Sequence, residues 1–147
     1  MACEYAFAVV LTPDDEAGGY VVTCPDLPEV VTQGEGRADA LEQAADAIEE
    51  AVAGRLGRGE EIPAPTECGG GGDVVPLAPV TAAKVALEQA MREAGMSQVG
   101  LAGLLCCDEK EVRRLLDPRH PSKMPRLARA LRLLGKGLIV RVVDRVA

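Results

Sequence analysis

The sequence predicts an α+β protein of two small domains, the first with strands and one helix and the second mainly helical. Apolar residues recur with period two up to residue 33 and with period 3.6 from residue 37. Residues 1–73 hold 16 acidic against 3 basic residues, a net charge of −13, whereas residues 74–147 hold 7 against 13, a net charge of +6. A glycine-rich run between the halves is typical of a linker. We therefore expect domains at 1–66 and 74–147, joined by a linker at 67–73.

Three strands are expected in the N-terminal domain. In residues 5–11 both alternating sets of side chains are apolar, so this strand should lie inside a sheet. A turn rich in Asp and Gly at 12–19 leads into a second strand at 20–24, which predicts an antiparallel hairpin. A third strand at 29–33 follows a Pro-Asp-Leu-Pro turn and should stop at the next glycines.

One helix should follow these strands, from residue 37 to about residue 57. Its predicted core stripe consists of Leu41, Ala45, Ile48, Val52 and Leu56. Its opposite side carries Glu42, Asp46, Glu49 and Glu50. Such an acidic face is either solvated or docked on a basic surface.

The C-terminal domain should contain a short strand and four helices. The strand at 74–77 contains a proline, which limits it to a sheet edge or to the start of a strand. The predicted N-terminal caps of the first three helices are Thr81, Ser97 and Asp108. The fourth helix should run from about 123 to 134, and the β-branched run 138–143 predicts a terminal strand. We expect that terminal strand to pair with 74–77 of the same chain or of a second copy.

The second and third of these helices have the spacing of a helix-turn-helix, which places its second helix in the major groove of DNA. The predicted DNA contacts are Gln98, Glu109, Lys110, Arg113, Arg114, Arg119 and Lys123. Gln98 lies at the start of the first helix of the pair, where its side chain and the helix N-terminus can meet one phosphate. The alternative is a plain helical bundle with a basic surface.

This segment resembles the Xre/Cro-type helix-turn-helix family. The resemblance rests on the pattern Ser-Gln-x-x-Leu-Ala at 97–102, ahead of a capped second helix. Cys106 stands where the family usually has a turn glycine, at a position that tends to need a positive φ. The resemblance implies operator DNA as a partner. We also expect a homodimer or higher homo-oligomer that places two recognition helices about one turn of DNA apart.

The N-terminal half resembles the HicB antitoxin family over roughly residues 4–66. The matching features are Tyr5 and its strand, Gly19-Tyr20-x-Val22, Pro25-Asp26-Leu27-Pro28, Thr32-x-Gly34 and Ile62-Pro63-x-Pro65. Their order around an alanine-rich helix is hard to reach by chance. The chain departs from the family at Glu29, where the family has a glycine.

This second resemblance implies a degraded ribonuclease-H-like β-β-β-α-β fold and the function of an antitoxin in a type II toxin–antitoxin pair. The implied partner is a basic, RNA-cleaving toxin of HicA type, which the acidic domain would bind and occlude while the helix-turn-helix represses the operon. The candidate toxin contacts are Asp26, Glu29, Glu42, Asp46 and Glu49.

Catalytic, metal and cofactor sites are not expected. A ribonuclease-H-type nuclease needs a carboxylate inside its first strand, and residues 5–11 contain none. His120 is a lone loop histidine without a nucleophile or a paired acid, and the glycines at 69–72 lack the Lys-Ser/Thr of a phosphate loop. The five cysteines have no C-x-x-C spacing, which favours reduced thiols over a zinc site or a disulfide framework.

Two alternatives from other classes remain. A stand-alone transcriptional repressor would sense a small ligand with its first domain, and a neighbouring reading frame for a small basic protein would argue against it. A residual metal-dependent nuclease would cleave RNA when a divalent metal is added. The chain lacks both a signal-peptide pattern and an apolar run of the roughly 18 residues that span a membrane, so we expect a cytoplasmic protein without membrane contact.

Overall fold

The computed structural model describes residues 4–66 and 72–144. The chain forms two compact units, of which the first runs to Leu77 and the second spans Ala78–Val143. Strands and one helix form the first unit and helices form the second, which confirms the expected α+β class. Most of the predicted linker, residues 67–71 with Cys68, lies outside the described residues, and so does Cys3.

The first unit has the element order β-β-β-α-β, as predicted. Its elements are β1 (Ala6–Pro13), β2 (Tyr20–Thr23), β3 (Val31–Gly34), α1 (Arg37–Gly57) and β4 (Asp73–Pro76). The strands form one sheet in the order β3-β2-β1-β4, and each neighbouring pair is antiparallel. β1 therefore lies inside the sheet, as its two apolar faces predicted.

The position of β4 corrects our prediction. We grouped residues 74–77 with the C-terminal domain and paired them with a terminal strand, but β4 pairs with β1, and Phe7 lies opposite Val75. The N–H of Leu77 continues this pairing by donating to the carbonyl of Tyr5 at 2.9 Å. β4 lies at the edge of the sheet and pairs with β1 on one side, and the expected pairing with the run 138–143 does not form, because the described residues 138–144 form no strand.

Helix α1 covers one face of the sheet, but with a different line of side chains from the predicted stripe. The buried line is Ala40, Ala44, Ile48 and Val52. The predicted Leu41, Ala45 and Leu56 are only partly buried. A Cβ on Gly34 would lie 2.3 Å from the backbone nitrogen of Ala40, so the helix starts in close contact with β3. Only small side chains fit where the helix and the strand lie so close together. The alanines of α1 therefore face the sheet.

The second unit is built from helices. They are α2 (Pro79–Ala94), α3 (Gln98–Leu105), α4 (Glu109–Leu116) and α5 (Met124–Leu133). Their shared core is made of small and branched side chains from all four helices, including Leu87, Leu101, Val112, Leu115 and Leu127. No helix in the described part of the chain is long and apolar enough to cross a membrane.

The helix starts in this unit test the predicted caps. The prediction of Thr81 as a cap is wrong, because α2 begins two residues earlier, at Pro79, and Thr81 is buried in its first turn. Proline suits the first turn of a helix, where its missing N–H is not needed. The caps at Ser97 and Asp108 are confirmed, since their side chains accept the N–H of Gly100 at 3.0 Å and of Glu111 at 2.9 Å.

Candidate functional site

The turn between α3 and α4 has a positive φ at Cys106, where the resembling helix-turn-helix family usually has a glycine. Cys106 adopts φ +53°, and among the described residues it alone combines a side chain with a positive φ. The N–H of Cys107 donates to the carbonyl of Ala102 at 3.0 Å, which closes the end of α3. Ala102 is buried, so the two helices meet at a small side chain. The chain therefore forms two short, capped helices joined by a tight turn.

Helix α4 separates apolar from basic side chains. Val112 and Leu115 are buried in the core. Lys110, Arg113 and Arg114 lie three and four residues apart, and this spacing places them on one side of the helix. Lys110 and Arg113 are exposed and form no ion pair with another described residue, whereas Arg114 donates to the carboxylate of Glu111 at 2.7 Å.

The other predicted DNA contacts surround these two helices. Gln98 and Glu109 are exposed at the first residues of α3 and α4. Arg119 is exposed in the loop after α4, and Lys123 is exposed at the N-cap of α5. All seven predicted residues thus lie in or next to the α3–α4 pair or at the start of α5.

Two basic residues on α5 were missing from our prediction. Arg129 and Arg132 are exposed and lie three residues apart. With Arg126 they form a repeat of arginine at every third position, which was the available signal. Arg126 lies 3.7 Å from the carboxylate of Glu111, so Arg129 and Arg132 add to the positive charge that remains exposed.

A buried lysine holds the end of α4, and our sequence prediction also missed it. Lys84 on α2 is 0% exposed. Its Nζ donates to the carbonyl oxygens of Arg114 at 2.9 Å, Asp117 at 2.6 Å and His120 at 2.7 Å, and to the hydroxyl of Ser122 at 2.8 Å. The last carbonyls of a helix have no partner within it, and a cation there also interacts favourably with the helix dipole.

Burial lowers the pKa of Lys84 from its ordinary value, because desolvation disfavours the ammonium form. The hydrogen bonds to three carbonyls and a hydroxyl offset that effect. Lys84 is therefore a positioning residue for the end of α4 and the following loop. The sequence feature that could have indicated this role is the position of the lysine between two apolar residues, Ala83 and Val85, which are both buried.

Two of the five predicted toxin contacts have partners inside the first unit. The carboxylate of Asp26 accepts the N–H of Thr66 at 2.8 Å and its hydroxyl at 2.6 Å, which fastens the segment after α1 to the turn before β3. Glu29 accepts two bonds from the guanidinium of Arg55, at 2.6 and 3.0 Å. These hydrogen bonds lower the pKa of Glu29 below its ordinary value.

The remaining predicted contacts lie on α1. Glu42 and Asp46 are exposed on the side of the helix that faces away from the sheet, and Glu49 is partly buried. The structure therefore separates the five acids into two groups. Asp26 and Glu29 stabilise the fold around the turn, whereas the acids of α1 form a solvent-facing acidic face.

The basic residues of the first unit leave most of its negative charge uncompensated. Each arginine among residues 4–66 forms an ion pair: Arg37 with Asp73, Arg55 with Glu29 and Arg58 with Glu60. Each of these three positive charges is paired with one carboxylate. The net charge of −13 over residues 1–73 is therefore carried by the other acidic residues.

The glycines of the N-terminal motifs are needed for packing. A Cβ on Gly19 would lie 2.2 Å from the carbonyl oxygen of Gly34, and Gly19 also has φ +76°. Gly34 in turn approaches the start of α1 too closely for a side chain. The Leu27 of the Pro-Asp-Leu-Pro turn is fully buried. These motif residues therefore specify how the sheet, turn and helix meet.

Comparison with known proteins agrees with these motifs. A family model described as "HicB_like antitoxin of bacterial toxin-antitoxin system" matches residues 6–86, more than half of the chain. This chain belongs to the HicB antitoxin family. The match covers the complete β-β-β-α-β unit and continues into α2.

Relatives in the HicB family extend the similarity over nearly the whole chain. "Antitoxin HicB 1" of Photorhabdus laumondii is 35% identical over 136 residues, which cover 92% of this chain and 86% of the relative. "Antitoxin HicB" of Escherichia coli K12 is 34% identical over 137 residues, covering 93% and 99%. "Antitoxin HicB" of Pseudomonas fluorescens is 33% identical over 141 residues, covering 92% and 94%. The similarity to HicB proteins thus includes the helical second unit.

The cysteines and possible metal ligands in the described part of this HicB-family chain do not form a cluster. Within residues 4–66 and 72–144, no group of three His, Cys, Asp or Glu residues is arranged to hold a metal ion. Cys24, Cys106 and Cys107 are free thiols. Cys24 is buried, and desolvation raises its pKa.

Proposed function

We propose that this HicB-family antitoxin neutralises a HicA-like, RNA-cleaving toxin with its first unit and represses its own operon with its second. The observation that carries the proposal is the division of charge between two separately folded units. The acidic unit has all its arginines in internal ion pairs, and the second unit exposes cations on and around two capped helices. Opposite charges on one chain fit two partners of opposite charge.

Toxin binding is proposed to occlude the toxin from RNA, so the first unit acts without catalysis. The acids of α1, with Asp26 and Glu29, are the candidate charged groups. The test is to measure the affinity of the full chain for the small basic protein encoded beside it, at low and moderate salt. Binding that weakens as salt rises is expected, because salt screens attraction between exposed charges. If that protein does not bind while the chain still shifts promoter DNA, the chain is a stand-alone repressor.

A pair of charge-neutralising variants sharpens this test. Glu42→Gln with Asp46→Asn should weaken toxin binding at low salt, because both carboxylates are exposed and form no ion pair with a described residue. Arg58→Gln with Glu60→Gln is the matched control, since these two residues pair at 2.8 Å and removing both leaves the net charge unchanged. Equal loss in both variants would contradict a role for the α1 acids.

Operator binding is proposed for α3, α4 and the start of α5. Lys110→Ala and Arg113→Ala should each weaken binding to the promoter DNA, and the salt slope of log K should fall by about 0.9 for each lost phosphate contact. Arg92→Ala on α2 is a matched control, because Arg92 pairs with Glu88 on its own helix. An unchanged salt slope in both α4 variants would exclude α4 from the phosphate contacts.

Dimerisation through the second unit is proposed to place two copies of α4 on one operator. Two-fold related helices about one turn of DNA apart would read a palindromic site. The expected result is a dimer or larger oligomer in sedimentation and a palindromic footprint. A monomer that protects one half-site would contradict this part of the proposal.

A further inference from the structure

The face of the sheet opposite α1 is apolar, and no described helix or strand of the first unit covers it. We call it the outer sheet face, and it is formed by the outward side chains of all four strands, with Val10, Val21, Thr23, Val31, Val74 and Pro76 as its main members. The register places them together. Thr23 is the partner of both Val10 and Val31, so these three form one row across β1, β2 and β3. Val74 lies opposite Ala8, the next outward residue of β1.

Large apolar side chains on this face are open to solvent. Val10 is 49% exposed, Val31 is 65% exposed and Val74 is 48% exposed. Among the described residues of the first unit, they are the three large apolar side chains that are exposed, and all of them lie on this face. The exposed apolar surface of the unit is therefore concentrated in one patch.

This patch differs from the solvent-facing side of an ordinary antiparallel sheet. An antiparallel sheet with one solvated face normally alternates apolar inward and polar outward residues. Here none of the outward strand residues carries a charge: the uncharged set continues through Ala6, Ala8, Thr12 and Gln33. Exposed sheet edges are also usually protected by charged side chains, and both edge strands, β3 and β4, lack an outward charge.

Charge identifies the kind of partner that fits the patch. Residues at one end of the strands are acidic, with Asp15 and Glu16 between β1 and β2 and Glu35 just after β3. A second copy of this unit would bring another net charge of −13 against the same acids. A basic protein with an apolar patch would bury the valines and meet the acidic border with opposite charge.

We propose that the outer sheet face is the surface on which the basic toxin docks, with the exposed valines as its apolar centre and the acids at the strand ends as its border. This inference rests on the proposed antitoxin function. The acidic face of α1 lies on the other side of the unit, where it attracts the toxin at long range without touching it.

The experiment compares two variants of the full chain in calorimetric titrations with the small basic protein encoded beside it. The first variant carries Val10→Thr, Val31→Thr and Val74→Thr, which keep the β-branched shape and remove three methyl groups from the patch. It should bind at least about tenfold more weakly at both low and moderate salt, because apolar contact is not screened. The second variant carries Glu42→Gln and Asp46→Asn and should lose affinity only at low salt.

The possible outcomes distinguish a failure of the proposed docking surface from a failure of the proposed antitoxin function. If the wild-type chain does not bind the basic protein, both fail. If the wild-type chain binds and the threonine variant binds equally well, only the docking surface is wrong. If the threonine variant keeps its toxin affinity but the free chain changes its oligomeric mass, the face is a contact between copies of this chain, which also overturns the proposal. An unchanged unfolding temperature and operator affinity show that the threonine variant is folded.

Discussion

The Nζ of Lys84 lies 2.6 Å from the carbonyl oxygen of Asp117, the residue that directly follows α4. A side chain from α2 thereby fastens the end of α4 and the loop behind it. The contact joins residues 33 positions apart in the chain, and the ammonium group is shielded from solvent. One buried charge thus links α2 to the end of α4 and the loop that follows it.

Replacement of this lysine should destabilise the second unit strongly. In Lys84→Met the apolar stem is kept, but the carbonyls of Arg114, Asp117 and His120 lose the ammonium donor. The carbonyls of Arg114 and Asp117 keep the N–H groups of Asp117 and His120 as donors. A buried acceptor left without a partner costs about 1–3 kcal/mol, and the other two carbonyls lose only their charged donor, so a loss of about 2–3 kcal/mol in the free energy of unfolding is expected. Denaturant unfolding followed by circular dichroism measures it.

Lys123→Met provides the matched comparison, because Lys123 is exposed at the start of α5. Its free energy of unfolding should stay within about 0.5 kcal/mol of the wild-type value. Similar stability of both methionine variants would show that the Lys84 contacts add nothing to the fold.

Gly34→Ala should destabilise the first unit, because the added Cβ would lie 2.3 Å from the backbone nitrogen of Ala40. Relief of that clash requires α1 to move away from β3, and such overpacking typically costs about 1–3 kcal/mol. Gly57→Ala, at the last residue of α1, has open space around its Cβ. It should be neutral or stabilising by up to about 1 kcal/mol, since alanine favours a helix. Gly34→Ala should therefore lower the unfolding temperature, whereas Gly57→Ala should leave it unchanged or raise it, and an equal fall in both variants would contradict the close approach.

Cys106→Gly should stabilise the second unit. Cys106 adopts φ +53°, a conformation that costs a residue with a Cβ about 1–2 kcal/mol. Glycine removes that cost but loses more entropy on folding, which leaves an expected gain of about 0.5–1 kcal/mol. Cys106→Val should lose stability, because a β-branched residue is least suited to this conformation. The order Gly, Cys, Val in unfolding temperature checks the prediction, and a lower value for glycine than for cysteine would refute it.

The Glu29–Arg55 pair should make the stability of the first unit sensitive to acid. The hydrogen bonds from Arg55 lower the folded-state pKa of Glu29 below its ordinary value of 4.5. As the pH falls, the unfolded chain binds the proton first, so the contribution of this pair is complete above that value and is lost as the pH falls through the folded-state pKa. The side chain of Glu29 is 37% exposed, so the contribution is small.

Glu29→Gln tests this dependence through the difference in unfolding free energy from the wild-type chain. The difference should be present at pH 7 and should shrink as the pH falls through the folded-state pKa of Glu29, where the wild-type carboxylate takes up its proton. Glu42→Gln removes an exposed carboxylate without an ion pair to a described residue, and its difference from the wild-type chain should not follow this course. A constant difference for Glu29→Gln across the same range would contradict the shift.

Local features of this chain followed directly from its sequence. The caps at Ser97 and Asp108, the positive φ at Cys106 and the extent of α1 each depend on a few neighbouring residues. Capping hydrogen bonds and backbone sterics act within about four residues, so the residue types predict them. The close approach of Gly19 to Gly34 is not local in this sense, because the pairing of β2 with β3 brings the two glycines together.

The candidate sites were predicted less completely. The basic residues of α4 were predicted because one helix face carries them, whereas on α5 the prediction stopped at Lys123 and did not include Arg129 and Arg132. Asp26 and Glu29 were selected for their charge, but their partners Thr66 and Arg55 lie 40 and 26 residues away. Charge alone does not show whether an acid is free or already paired.

The sequence by itself determined the family, the division of charge, the helices of the second unit and most of their caps, because these depend on composition and on short-range spacing. Only the tertiary structure decided that β4 joins β1, that Lys84 supports α4 and that three valines share one exposed face. Each of these relationships depends on which distant strand or helix becomes a neighbour. That choice is made by packing of the whole unit, and no local pattern of residues encodes it.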